Sequence, residues 1–130
     1  ILHEYGHVLL EDETQVDLTV GRDTHDPAGF VEGAFRRAFY DAFWRELGVS
    51  GAGDYDRSPT HYVSRYGANY FHEDIADTFA IFVLGGEPGK NTVAEEKLRF
   101  FWRDPDMTAL RSAVRENLGL EWPKRAAHGC

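Results

Sequence analysis

The sequence predicts a mainly α fold of about five helices, and three observations carry that expectation. Apolar residues recur at helical spacing through most of the chain. Residues that start and stop helices bracket those stretches: Thr92 three before Glu95, Asp104 before Pro105, and glycines at 48, 85, 86 and 119. The alternation expected of a strand is confined to Val16-Asp17-Leu18-Thr19-Val20. With 130 residues, 42% hydrophobic and 14% aromatic, the chain has enough apolar side chain for one core. No repeat or shift in composition divides it, so residues 1–130 read as a single domain.

The first helix is expected over residues 1–10. At 100° per residue Ile1, Leu2, Tyr5, Val8 and Leu9 share one arc, expected to face the core, with His3, Glu4 and His7 on the other side. Residues 11–29 are acidic and broken by Gly21 and Asp26-Pro27, which predicts a loop with room for one lone strand at 16–20. A second helix is expected over about 30–47 on Phe35, Ala38, Phe39, Ala42, Phe43 and Leu47, stopped by Gly48. Residues 51–60 form a turn-rich connector leading into His61–Tyr70.

The third helix, 71–84, is apolar on nearly every side through Ile75, Phe79, Ile81, Phe82 and Val83, which marks it as central. Asp74 and Thr78 are expected to mark its polar side, and Gly85-Gly86 to stop it. A helical pair follows over 92–119. The first member has Leu98, Phe101 and Trp102 on one face and ends near Arg103; the second starts on the Asp104 cap, repeats Leu110, Val114 and Leu118, and ends at Gly119. The tail 120–130 carries no pattern.

Composition narrows the partners. The formal net charge of −8 argues against nucleic acid, and no apolar run of about 18 residues could span a bilayer. The single cysteine, Cys130, rules out an intramolecular disulfide and a thiolate zinc cluster, so any metal must use His and carboxylates. The chain opens on Ile1 and its one methionine is Met107, so it is expected to be a cut or partial piece, and no compartment is assigned.

His3-Glu4-Tyr5-Gly6-His7 has the spacing H-E-x-x-H. Residues four apart sit one turn above each other on a helix, so both imidazoles can aim at one ion, while Glu4 flanks the open position. Zinc held this way lowers the pKa of its water towards about 7, and an adjacent carboxylate can take the proton as a carbonyl is attacked. A catalytic zinc site usually has three protein ligands, so one more is required. Leu10 and Glu13 stand where a longer motif on the same helix would need Gly and His. Glu11 lies about 12 Å of rise beyond His3, too far along for an ordinary tripod.

Glu73 is the best candidate for that third ligand. Glu73 and Asp77 are spaced i, i+4 on the apolar third helix, where an unpaired charge costs several kcal/mol. Zinc on Glu73, with Asp77 accepting the remaining ring N–H of a histidine ligand, would satisfy both. His25 with Asp23 and Asp26 is a weaker alternative as ligand or calcium site, His61 a further donor, and His72 a surface or supporting residue. Gly6 inside a helix suggests close approach of another backbone.

These residues resemble the gluzincin branch of zinc metallopeptidases, which pair H-E-x-x-H on one helix with a glutamate ligand on a later one. The stretch Tyr62-Val63-Ser64-Arg65-Tyr66-Gly67-Ala68-Asn69, followed by His72-Glu73-Asp74-Ile75-Ala76-Asp77-Thr78-Phe79, is similar to that of lethal-factor-like peptidases, where a tyrosine precedes the glutamate ligand by seven residues. The resemblance covers about thirty residues in two blocks, 1–10 and 62–84, with Asp77 where that group has Glu. It implies a zinc metalloendopeptidase acting on a protein or peptide substrate: His3, His7 and Glu73 as ligands, Glu4 as general base, Tyr66 hydrogen-bonding the oxyanion, and Asp77 behind a histidine. It also implies that the chain is the helical part of an α+β zincin domain whose substrate-holding sheet belongs to an upstream region of a parent protein. The alternative reading is a non-catalytic helical zinc-binding or interaction module derived from such a fold.

Overall fold

The computed structural model describes residues 1–47, 55, 56 and 58–120. Gly48, the connector glycines 51 and 53, and the tail from residue 121 lie outside the described residues. Among the described residues there are five α-helices: α1 (Leu2–Leu10), α2 (Phe35–Phe43), α3 (Phe71–Leu84), α4 (Val93–Trp102) and α5 (Pro105–Asn117). Among the described residues there is no strand or sheet, and the pairing is a single antiparallel bridge between Val16 and Phe30. Among the described residues no helix is long and apolar enough to cross a membrane.

Helix α3 is the axis of the molecule. Phe71, Ile75, Ala76, Phe79, Phe82 and Val83 are buried along it, and α1, α2, α4 and α5 all pack on it, α1 most extensively. The core is continued by Leu10, Phe30, Phe39, Trp44 and Phe101. Burying side chains of this size is worth about 1.5–3 kcal/mol each, which holds the helices where isolated ones would fray. Gly85 ends α3 in extended rather than left-handed geometry. Its last carbonyls are taken from outside instead: Arg111 donates to Phe82 and Gly85, and Arg115 to Val83 and Leu84.

The helical pair follows its caps. Thr92 accepts from the Glu95 amide and donates to the Glu95 carboxylate, and Asp104 accepts from the amides of Asp106 and Met107.

Three expectations fail in instructive ways. Helix α2 is half the expected 30–47 span. Phe30 is held in the bridge to Val16 and Gly33 adopts φ +81°, a left-handed conformation, so the helix cannot begin before Phe35. At the other end Trp44 leaves helical geometry, and its indole N–H is fixed on Asp74. The buried face of α2 is Phe35, Arg36 and Phe39, whereas Ala38, Ala42 and Leu47 face solvent.

Helix α1 is rotated from its expected pose. Gly6 and Leu10 are buried, Leu2 and Leu9 pack against the core, and Ile1, Tyr5 and Val8 are exposed. The histidine face therefore looks at α3. In α3 itself Asp74 and Thr78 are fully buried rather than solvent-facing. Asp74 Oδ2 sits 2.8 Å from Lys97 Nζ and accepts from the Trp44 indole at 2.8 Å, and Lys97 also donates to the His61 carbonyl at 2.7 Å. Segment 16–20, expected to be loop with room for a lone strand, forms only the Val16 bridge, and Asp17 turns the chain by accepting from the Thr19 amide and hydroxyl.

Candidate metal centre

The site is made by the close approach of α1 and α3. A Cβ added at Gly6 would lie 3.1 Å from the Phe79 ring and 3.3 Å from the Ala76 Cα, so the glycine lets the two backbones come together. This seats His3 and His7, one turn apart on α1, over Glu73 in the first turn of α3.

Their ligand atoms converge. His3 Nε2 lies 2.9 Å from Glu73 Oε2 and 2.9 Å from His7 Nε2, and His7 Nε2 lies 3.3 Å from Glu73 Oε1. Glu73 is 7% exposed, and Oε2 is buried without a hydrogen bond. The opposite edge of each imidazole is already taken. His3 Nδ1 meets Asp77 Oδ1, and His7 Nδ1 lies 3.1 Å from Glu11 Oε2.

In the tautomer that donates each Nδ1–H to its carboxylate, the two Nε2 atoms present lone pairs. In that tautomer two nitrogen lone pairs and a carboxylate face one another. Such an all-acceptor cluster is repulsive unless a cation sits between, and Glu73 Oε2 is buried 2.9 Å from His3 Nε2. Donors on a tetrahedron with bonds of about 2.0–2.1 Å stand roughly 3.3 Å apart, within a few tenths of the separations here. The donor set of two imidazoles and one carboxylate could hold a metal ion.

The flanking residues are placed as follows. Glu4 is exposed on α1 beside His3. Tyr66 is 56% exposed rather than a core phenol, and its ring centroid is 6.2 Å from that of His3. The Glu73 carboxylate, then partial burial, Asp77 and Glu4 push its phenol pKa up, so the hydroxyl keeps its proton at neutral pH. Asp77 engages both oxygens, one on His3 and the other accepting the Ser64 hydroxyl, and Ser64 in turn accepts from the Gly67 amide. The loop carrying Tyr66 is thereby tied to the carboxylate that orients His3.

His72 Nε2 approaches Glu73 Oε1 at 3.2 Å, and its ring lies 3.8 Å from that of His25. Burial first, and His25 second, push His72 down to about 4. His25 does not join Asp23 and Asp26 in a cation site. Its ring nitrogen is 3.0 Å from Glu11, Asp23 accepts from the His25 amide, and Asp26 caps the turn at Pro27–Gly29. His61 packs beside Tyr62, with its carbonyl held by Lys97.

Sequence reasoning missed Ser64 and the role of Glu11. Glu11 does carry a signal, because His7 and Glu11 are i, i+4, the spacing at which helix side chains meet. Among the described residues His3, His7 and Glu73 are the one group of three or more ligand side chains that could hold a metal ion. Comparison with known protein families, with curated proteins and with solved structures finds no match.

Proposed function

We propose that the chain is the metal-bearing part of a zinc-dependent metallopeptidase. The observation that carries the reading is the convergence of two Nε2 atoms and one carboxylate, all within 4.8 Å of one another, with each imidazole backed by its own acid. Zinc, when bound, supplies Lewis acidity and a water of lowered pKa. The protein does the rest. Glu4, exposed next to His3, takes the proton of the attacking water and returns it to the leaving amine. Tyr66, with its pKa raised, donates its hydroxyl to the developing oxyanion. Asp77 holds His3 in the tautomer that exposes Nε2.

Zinc affinity and peptide cleavage test it together. Wild-type protein is expected to bind one zinc and Glu73→Ala to lose most of that affinity. In a preparation that cleaves peptides, Glu4→Gln is expected to keep zinc and lose turnover by several orders of magnitude. Unchanged zinc binding in Glu73→Ala contradicts the ligand set; full turnover in Glu4→Gln contradicts the base.

One observation favours a second reading, a non-catalytic zinc-binding module. His72 Nε2 already touches Glu73, and a fourth protein ligand would close the coordination sphere. Zinc binding that weakens sharply in His72→Ala, without peptide cleavage by wild type, supports that module instead.

A further inference from the structure

Resting on the zinc reading above, we propose that Glu11 is the positioning residue for His7, and that through it the loop 12–26 is built into the metal site. Glu11 stands one turn beyond His7, just after the last residue of α1. Its two oxygens look in opposite directions. Oε2 faces His7 Nδ1 at 3.1 Å, while Oε1 accepts the Thr24 hydroxyl at 3.0 Å and lies 3.0 Å from His25 Nε2. A carboxylate free in solvent would sample several rotamers; this one is held at both ends and is less than one-fifth exposed.

The two histidines are thus oriented in parallel by different parts of the fold. Asp77 on α3 fixes His3, and Glu11 at the end of α1 fixes His7. An acid accepting the far ring N–H sets the tautomer and raises the basicity of the coordinating nitrogen, and losing such a partner typically costs 10–100-fold in metal affinity.

The loop that holds Glu11 is itself anchored. Arg36 is fully buried, stacked 4.7 Å from the Phe30 ring and 5.0 Å from the Phe71 ring. Its guanidinium donates to the carbonyls of Leu10 and Thr24, clamping the end of α1 to the loop residue that grips Glu11. Burial draws the Arg36 pKa down to about 10, with the Glu11 charge opposing the shift, so the clamp stays cationic at neutral pH. Thr24 and His25 reach the site through Glu11, and His25 also through His72, while Arg36 holds Leu10 and Thr24.

The test is competition of zinc between the protein and a chromophoric chelator, for wild type, Glu11→Gln and Glu11→Ala, with the visible spectrum of the cobalt form recorded alongside. Glu11→Gln keeps the shape and an acceptor but removes the charge, and is expected to weaken zinc binding several-fold. Glu11→Ala is expected to weaken it 10–100-fold and to change the cobalt bands. Unaltered affinity and cobalt spectra in Glu11→Gln and Glu11→Ala would overturn the assignment while leaving the zinc site standing. Wild type that binds no zinc would overturn both.

Discussion

Asp77 and Glu11 do the same work on two different histidines, and both belong to i, i+4 pairs. Asp77 pairs with Glu73 along α3, and Glu11 with His7 at the end of α1. The first pair stood out in the sequence because two carboxylates on an apolar helix must either face solvent or meet a cationic partner. The second was passed over because Glu11 is too far from His3 to be a ligand, although its distance from His7 suits a hydrogen bond. Ser64 had no signal at all, since its partner lies thirteen residues away and depends on how the loop folds. At this scale the sharpest expectation concerns Asp77. Asp77→Ala should lower zinc affinity by about 10–100-fold, because it frees His3 to rotate and releases Ser64. Isothermal titration checks this, and wild-type affinity in the variant would show that the His3 contact is incidental.

Helices α3, α4 and α5 were readable from sequence with nearly their observed bounds, since each carries a local apolar pattern and α4 and α5 carry their own N-caps. Helix α2 was not, because what shortens it is remote: a bridge to Val16 and an indole bond to Asp74 thirty residues away. The facing of α1 was misjudged for a related reason. A hydrophobic arc marks the core only when the opposite face prefers water, and here that face carries the site. The close packing of α1 on α3 makes Gly6 a direct test. Gly6→Val would press a branched side chain into the Ala76 backbone, with an expected loss of about 1–3 kcal/mol and weaker zinc binding as His3 and His7 move off Glu73. Chemical denaturation and zinc titration read the two effects.

The Asp74–Lys97 pair joins α3 to α4 and reaches the start of the Tyr66 loop through the His61 carbonyl. Burial pushes Asp74 up and Lys97 down, and their mutual attraction opposes both shifts. Lys97→Met strands a buried acid, with an expected cost of about 3–5 kcal/mol. Adding Asp74→Asn should restore part of it, because the charge is gone and Trp44 keeps an acceptor. Denaturant midpoints for the single and double variants check this.

Across the whole molecule, the candidate site draws on residues from 3 to 77, so a bound ion would cross-link α1 to α3 and stabilise the fold by mass action. Zinc free at one hundred times its Kd adds about 2.7 kcal/mol, so a chelator should lower Tm by several degrees in wild type and leave Glu73→Ala unmoved. The five-helix architecture was legible from the chain; the burial of Asp74, Arg36 and Lys97 was not, because each depends on a partner brought by tertiary contact. The most direct test of the central claim is anomalous diffraction at the zinc edge from crystals of the zinc-loaded protein. Expected is a single strong peak about 2.0–2.2 Å from His3 Nε2, His7 Nε2 and a Glu73 oxygen. Zinc-loaded crystals with no peak between α1 and α3, or with Glu73 turned away from it, would contradict the account.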